Sequence, residues 1–336
     1  MRLRWPSPVP RRATAALAAL FAVLAVAPIV ANNYQLSVLT LVLYYAYVGQ
    51  AWNIMFGFAG LLSLGHALFI GIGSYASAAL FVHFGIGPWA GVFLAVALAV
   101  AVGCFIALLG FRFAISGVYF ALLTIAFAEF TRIVCDHIGW LGATEGLFLP
   151  VSSRSRIDLA NLRGPPEMFY YLMLTLTFAA LGVSRWLLHS KLGYCWRAIR
   201  DDPEAAAATG VNVFWCRMAA VAISCAASGI AGVWYAFYYN NLFPEIAFDI
   251  GKSIEITFAP IVGGVGTLFG PVLGAFLLFP LGELITGATQ RLGLEGIKQF
   301  IWGIAVVAIV LLRPSGVWPW LWGILGLAET GEEVRP

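Results

Sequence analysis

Again and again along this chain, about twenty residues pass with hardly a charge. A helix of ~20 apolar residues spans the hydrocarbon core of a bilayer, and helices and closed barrels alone satisfy their own backbone there. Ten such stretches can be marked, at roughly 13–31, 36–57, 61–83, 88–110, 113–133, 168–188, 214–238, 252–268, 271–289 and 297–312. They predict an all-α polytopic membrane protein of about ten transmembrane or re-entrant helices, one membrane domain over residues 1–336. The third and eighth are rich in glycine and polar residues, so either can dip in without crossing. The first follows Arg2, Arg4, Arg11 and Arg12. It is long enough to span and many spans follow, so it reads as a transmembrane helix rather than a signal peptide.

Composition supports the same class. Charged residues make up 10% of the chain and hydrophobic ones 61%, where soluble domains run at about 25% charged. The net charge of +3, scattered rather than striped, excludes a nucleic-acid partner. The five cysteines (Cys104, Cys135, Cys195, Cys216, Cys225) have no metal-ligand spacing and fall mostly in apolar runs. They predict neither a metal nor a disulfide, and no cofactor is expected.

With a cytoplasmic amino terminus and ten spans, Arg132, Arg154, Arg156, Arg163, Lys252, Arg291 and Lys298 fall outside, and the other twelve of the 19 Lys and Arg fall inside. That split obeys the positive-inside bias. It places 134–167 outside as a long loop with Gly139, Gly142, Gly146 and Pro165-Pro166, suited to ordered turns or short helices over the outer mouth. It places 190–212 in the cytoplasm.

That cytoplasmic segment holds Lys191, Arg197, Arg200, Asp201, Asp202 and Glu204, which cannot sit in hydrocarbon. Asp201 or Asp202 can cap a helix that Pro203, Glu204 and Ala205 to Ala208 continue and Gly210 ends. A capped helix is more than a connection needs. It can serve as a docking element through which a partner acts on the spans.

Several stretches carry polar groups to membrane depth. The run 60–79 holds Ser63, His66, Ser74, Tyr75 and Ser77, and such residues face a bundle interior or a cavity. Gly71-x-Gly73-x-x-Ala76 has no preceding strand and is no dinucleotide fingerprint; Gly251-Lys252-Ser253 lacks the glycine that a phosphate loop requires. His66, without a second ligand at helical spacing, reads as a hydrogen-bonded interior residue. Glu255 lies among apolar residues, either as a brace between helices or as part of a path. Gly266, Gly270 and Gly274 repeat at four, with Gly263 and Gly264 just before; Pro271 interrupts them. The pattern predicts close helix packing in a hairpin or broken helix. No Ser/His/Asp set and no nucleophile elbow can be assembled, so no catalytic residues are expected.

Taken in order, Gly60–Ala67 with Gly71–Tyr75, Gly117–Phe127, Arg197–Ala206 through Thr209–Asn212, Ser253–Glu255 and Gly263–Pro271 carry a resemblance. From the second span onward the chain resembles the LivM-like branched-chain amino acid permeases, membrane subunits of ABC importers. The resemblance implies a multi-pass protein of the bacterial inner membrane that pairs with a second, homologous permease and two cytoplasmic ATPases. It also implies that substrate comes from a periplasmic binding protein. Segment 190–212 then corresponds to the coupling helix that fits a groove on the ATPase, through Arg197, Ala198, Arg200, Asp202, Pro203, Glu204, Ala205, Ala206 and Gly210. Ser63, His66, Ser74, Tyr75, Thr124 and Glu255 become candidates for the translocation path. Gly142-Ala-Thr-Glu-Gly146 departs from the Thr-Gly-Gly-x-Asp-Gly pattern of relatives, which leaves cargo open among branched-chain or other small amino acids, urea and short amides. An ion-coupled carrier would need intramembrane charge pairs, and an intramembrane enzyme a convergent reactive set; neither is found in the sequence.

Overall fold

The computed structural model describes residues 11–150, 158–289, 297–313 and 316–324. Of the cations behind the expected orientation, Arg2, Arg4, Arg154, Arg156, Arg291 and Arg335 lie outside the described residues. Helices dominate: α1 (Arg11–Val30), α2 (Asn33–Asn53), α3 (His66–Phe84), α4 (Pro88–Arg112), α5 (Val118–His137), α6 (Pro166–His189), α7 (Lys191–Asp201), α8 (Pro203–Ala208), α9 (Val213–Tyr239), α10 (Pro244–Ala247), α11 (Ile250–Gly263), α12 (Gly270–Thr289), α13 (Ile297–Leu312) and α14 (Val317–Ile324). Among the described residues, α3, α4, α5, α6 and α9 are long and apolar enough to cross a membrane. Their outer faces carry exposed Phe93, Phe105, Leu122, Phe178 and Trp186. In water such a surface would aggregate; against lipid tails it is ordinary.

The helices start and stop where local chemistry asks. Asn32 caps α2 in a reciprocal box with Gln35, Pro88 opens α4 and the Asn212 side chain caps α9. The stretch expected at 113–133 lies about four residues later, as α5. Ala114 and Gly117 both take positive φ, which delays the start. At the far end Arg132 pairs with Glu129 and Asp136, one turn to either side. The helix thus continues through its charges.

The two weak spans separate. From 61–83, residues 59–65 are not helical, but α3 is a full 19-residue helix. From 252–268, α11 has only 14 residues, about 21 Å at ~1.5 Å per residue, short of a ~30 Å core. The repeating glycines do not line one helix. Gly263 ends α11, Gly264 and Gly266 turn the chain with φ of 124° and 77°, and Gly270 and Gly274 belong to α12. The hairpin reading is the correct one. A Cβ at Gly263 would meet the Gly270 carbonyl and one at Gly274 the Ala259 carbonyl, so the arms touch backbone to backbone.

At the centre α2 packs against α6, α9, α11 and α12, and α3 against α4 and α9. The α3–α9 contact is close for the same reason: a Cβ at Gly73 or Gly232 would strike the other helix's backbone. Trp52, Tyr170 and Trp234 are buried in this core. Segment 134–167 forms two 3-10 turns and a short strand, Leu147–Phe148, paired antiparallel with Asn241–Leu242; residues 151–157 lie outside the described residues.

Candidate functional site: two interrupted helices, a coupling segment and a tyrosine-lined recess

Helix α2 ends in a π-helical turn, Ile54–Phe58, and the chain then runs without helix to Gly65. Irregular backbone at membrane depth survives only where protein satisfies it. Here Trp52 Nε1 donates to the Ser63 carbonyl (2.7 Å), and the Leu64 and Ala67 amides donate to Thr124 Oγ1 (3.2 Å) and Ser253 Oγ (3.0 Å). His66 bridges Ser63 Oγ (Nδ1, 3.2 Å) and Ser224 Oγ (Nε2, 3.0 Å). Ser224 gives its own hydrogen to the Ala51 carbonyl at 2.7 Å. It can therefore only accept from His66, which assigns the Nε2–H tautomer with Ser63 donating to Nδ1.

Four of the sequence-predicted path residues are thus held by the chain itself. Ser63, His66 and Thr124 secure the first break, and Ser74 Oγ returns to the Ile70 carbonyl at 2.7 Å. Tyr75 stacks on Phe248 at 5.7 Å, and its buried hydroxyl has no partner. All five are at most 3% exposed.

The second break, Gly264 to Phe269, lies against the first. Asn53, the last residue of α2, donates to the Thr267 carbonyl (2.9 Å) and accepts from the Gly266 amide (2.8 Å). Arg200 of α7 completes the junction. Its Nη1 donates to the Gly57 carbonyl at 2.6 Å, and a Cβ at Gly266 would stand 2.5 Å from that nitrogen. One guanidinium therefore touches both interruptions.

Segment 190–212 is two helices rather than one. α7 is amphipathic, with Gly193, Trp196 and Ile199 buried at a spacing of three. Trp196 packs with Ile54 and Phe58 of the π turn and donates to the Cys216 carbonyl at 2.7 Å. Asp202 is the cap of α8, accepting from Glu204 (2.9 Å) and Ala205 (3.0 Å) amides. Pro203, Glu204, Ala205 and Gly210 are exposed, as is Ala198 on α7, whereas Ala206 is buried. Arg197 donates to the Leu188 carbonyl at 2.7 Å and its guanidinium lies over Tyr194. Arg197 and Arg200 thus spend their charge on this chain, while α8 presents a free outer face.

Two recesses of about 300 and 60 Å³ share Tyr235, Tyr239, Ala247 and Lys252 as walls, the larger between α9, α10 and α11 and the smaller also against α2 and α3. Tyr44 and Tyr45 complete the smaller one. Lys252 Nζ sits 2.5 Å from the Tyr235 hydroxyl and 4.5 Å from that ring's centre. Tyr45 donates to Glu255 Oε2 at 2.7 Å. None of the path residues expected from sequence lines either recess; Glu255 reaches the smaller one only as the acceptor of Tyr45, one of its walls. Sequence reading passed over Asn53, Lys252 and the tyrosines. The signals present were Lys252 and Glu255 one turn apart, and Tyr235, Tyr238 and Tyr239 clustered at the end of α9. No group of three metal-ligating side chains stands together among the described residues.

Interrupted helices that meet inside a multi-pass bundle of apolar helices define the class: a membrane transport protein. Comparison with known proteins makes this specific. The family described as "Branched-chain amino acid transport system / permease component" matches residues 34–312, and the chain belongs to that family. Its relatives are transport permeases, not enzymes. The chain is 29% identical to the high-affinity branched-chain amino acid transport system permease protein LivM of Escherichia coli K12, across 88% of this chain and 73% of that one. It is 24% identical to the probable LivM of Methanocaldococcus jannaschii, across 82% and 90%. The permease protein LivH of E. coli K12 matches more briefly, at 24% across 41% and 43%. No solved structure matches.

Proposed function

We propose that this chain is one permease subunit of an ATP-driven importer for branched-chain or other small amino acids. In this reading it lies in a bacterial inner membrane with its amino terminus in the cytoplasm. It takes cargo from a periplasmic binding protein, pairs with a second, homologous permease and is driven by two cytoplasmic ATPases. Relatives named LivM and LivH support the paired permeases.

The observation that carries the reading is the build of the polar segment. α8 offers an exposed, capped surface, and α7 behind it reaches with Arg200 into both helix interruptions. A push on α8 would pass through a rigid eleven-residue helix to the two points where the spans are least continuous. Closure of the ATPases would then shift the population between inward-open and outward-open states by differential contact.

Ala198, Pro203, Glu204, Ala205 and Gly210, all exposed, face outward to meet the ATPase. Buried Ala206 and half-buried Arg197 hold the segment in shape from within; Arg200 and Asp202, though exposed, do so through their bonds to the Gly57 carbonyl and to the Glu204 and Ala205 amides. The test is co-purification of the ATPases with membranes bearing Ala205→Glu. The expected result is normal insertion with loss of the ATPases; undiminished co-purification would reduce α8 to a connecting loop.

A further inference from the structure

We propose that a cavity at the outer ends of α2, α6 and α9 receives a carboxylate on the Arg163 guanidinium, carried by an aspartate or glutamate side chain of the periplasmic binding protein. The proposal rests on the transport reading, which supplies the outer face and the partner, and adds the contact by which that partner docks.

The cavity holds about 200 Å³, with Arg163, Tyr238, Tyr239 and Asn240 among its walls. Arg163 is set there by a tight turn. Its amide donates to the Asp158 carbonyl (2.9 Å), its carbonyl accepts from the Asp158 amide (2.7 Å), and Leu162 just before it is held at a φ of 51° while only 5% exposed. A bulky residue keeps such a conformation only where its surroundings impose it. The guanidinium lies over the Phe81 ring, 5.1 Å from its centre. Its Nη2 is shut off from solvent and has no hydrogen-bond partner among the described residues. The Asp158 carboxylate does not answer it, being occupied by Asn161 and the Ala160 amide. Burial pulls the guanidinium's pKa below the usual arginine range, and the Asp158 charge only partly offsets this.

A part-buried cation with an unanswered N–H is costly until an anion completes it. Tyr238, Tyr239 and Asn240 carry hydroxyl and amide hydrogens that can join in, and none of the walls is acidic. An amino-acid zwitterion would set its ammonium beside the guanidinium with no acid to receive it; urea or a short amide would leave the cation unpaired. Charge complementarity therefore favours a carboxylate with no ammonium on the next carbon, as on an acidic side chain. Because α2 is packed upon by α6, α9, α11 and α12, the cavity stands over the middle of the bundle rather than at its lipid-facing rim. A protein arriving from the water reaches it more directly than a lipid headgroup. A guanidinium–carboxylate pair also fixes the register in which two proteins meet.

The test measures binding of the periplasmic binding protein to the assembled importer, ATPases included, by biolayer interferometry. The importer is held in nanodiscs of phosphatidylcholine with and without phosphatidylglycerol. Arg163→Gln is expected to weaken binding by about tenfold or more in both, the size of one lost charge-assisted hydrogen bond, and Arg163→Lys by less. Replacing the binding protein's surface acids by alanine one at a time should find one whose loss weakens binding to the wild type equally and to Arg163→Gln not at all. Assembly with the partner subunits, read by size-exclusion chromatography, controls for folding. Undiminished binding to Arg163→Gln, or a loss that couples to no acid, would overturn the site alone; so would a loss confined to phosphatidylglycerol discs, which would assign Arg163 to a lipid headgroup. Failure of the wild-type importer to bind the protein at all would overturn the external partner of the transport reading and this contact together.

Discussion

Asn53 is the residue on which the junction of the two helix interruptions most depends, because its one amide answers both the Gly266 N–H and the Thr267 carbonyl. Asn53→Leu removes both bonds at a buried site and leaves two backbone groups unpaired. At roughly 1–3 kcal/mol for each, the expected cost is about 2–6 kcal/mol, read as a lower thermal midpoint of the purified importer in detergent; an unchanged midpoint would show the bonds to be dispensable. Asp158 sets a second residue-scale expectation, outside the membrane. A hydrogen bond from the Asn161 side chain, with the Asn161 and Ala160 amides, holds its carboxyl below the usual range. Its folded-state pKa lies below the unfolded one, so its stabilisation is present at neutral pH and fades as pH falls through the folded value. Pepsin should cut the 158–163 turn faster as the medium is acidified below the ordinary carboxylate range. Asp158→Asn should remove that dependence.

At the scale of elements, capping was legible in the sequence because it is local. Asp202, Pro203 and Gly210 announce α8 within a few residues. α7 was not separated from it, since what makes α7 a distinct helix is the burial of Trp196 and Ile199 against the π turn. Nor could sequence show that Arg200 reaches Gly57, 143 positions away; its charge beside a docking segment suggested a partner instead. The glycine hairpin of α11 and α12 was legible through Pro271 and the glycine spacing, yet the bridge from Asn53 to its turn was not. The expected consequence is a division of phenotypes. Arg200→Ala should keep the ATPases bound but lower L-leucine uptake by about tenfold, the worth of a charge-assisted hydrogen bond. Ala206→Glu should impair the fold of the segment itself, because Ala206 is buried, whereas Ala205→Glu should affect docking alone.

Across the whole molecule, hydrophobic run length was enough to predict a helical membrane protein, and it located the long helices to within a few residues. It failed at 61–65 and 264–268, where polar and glycine-rich backbone lies inside the bundle, since the bonds that make such backbone tolerable come from distant helices. The recesses escaped for the same reason: the walls of the smaller one come from α2, α3, α9, α10 and α11, and nothing in sequence brings Tyr45 to Glu255. The account as a whole holds that this permease has no driving reaction of its own and is moved through α8 and α7 by ATP hydrolysis elsewhere. Uptake of L-leucine into liposomes holding the assembled importer measures this directly. It should require ATP on the ATPase side and be unchanged by an imposed proton or sodium gradient; uptake driven by such a gradient with ATP withheld would contradict the account.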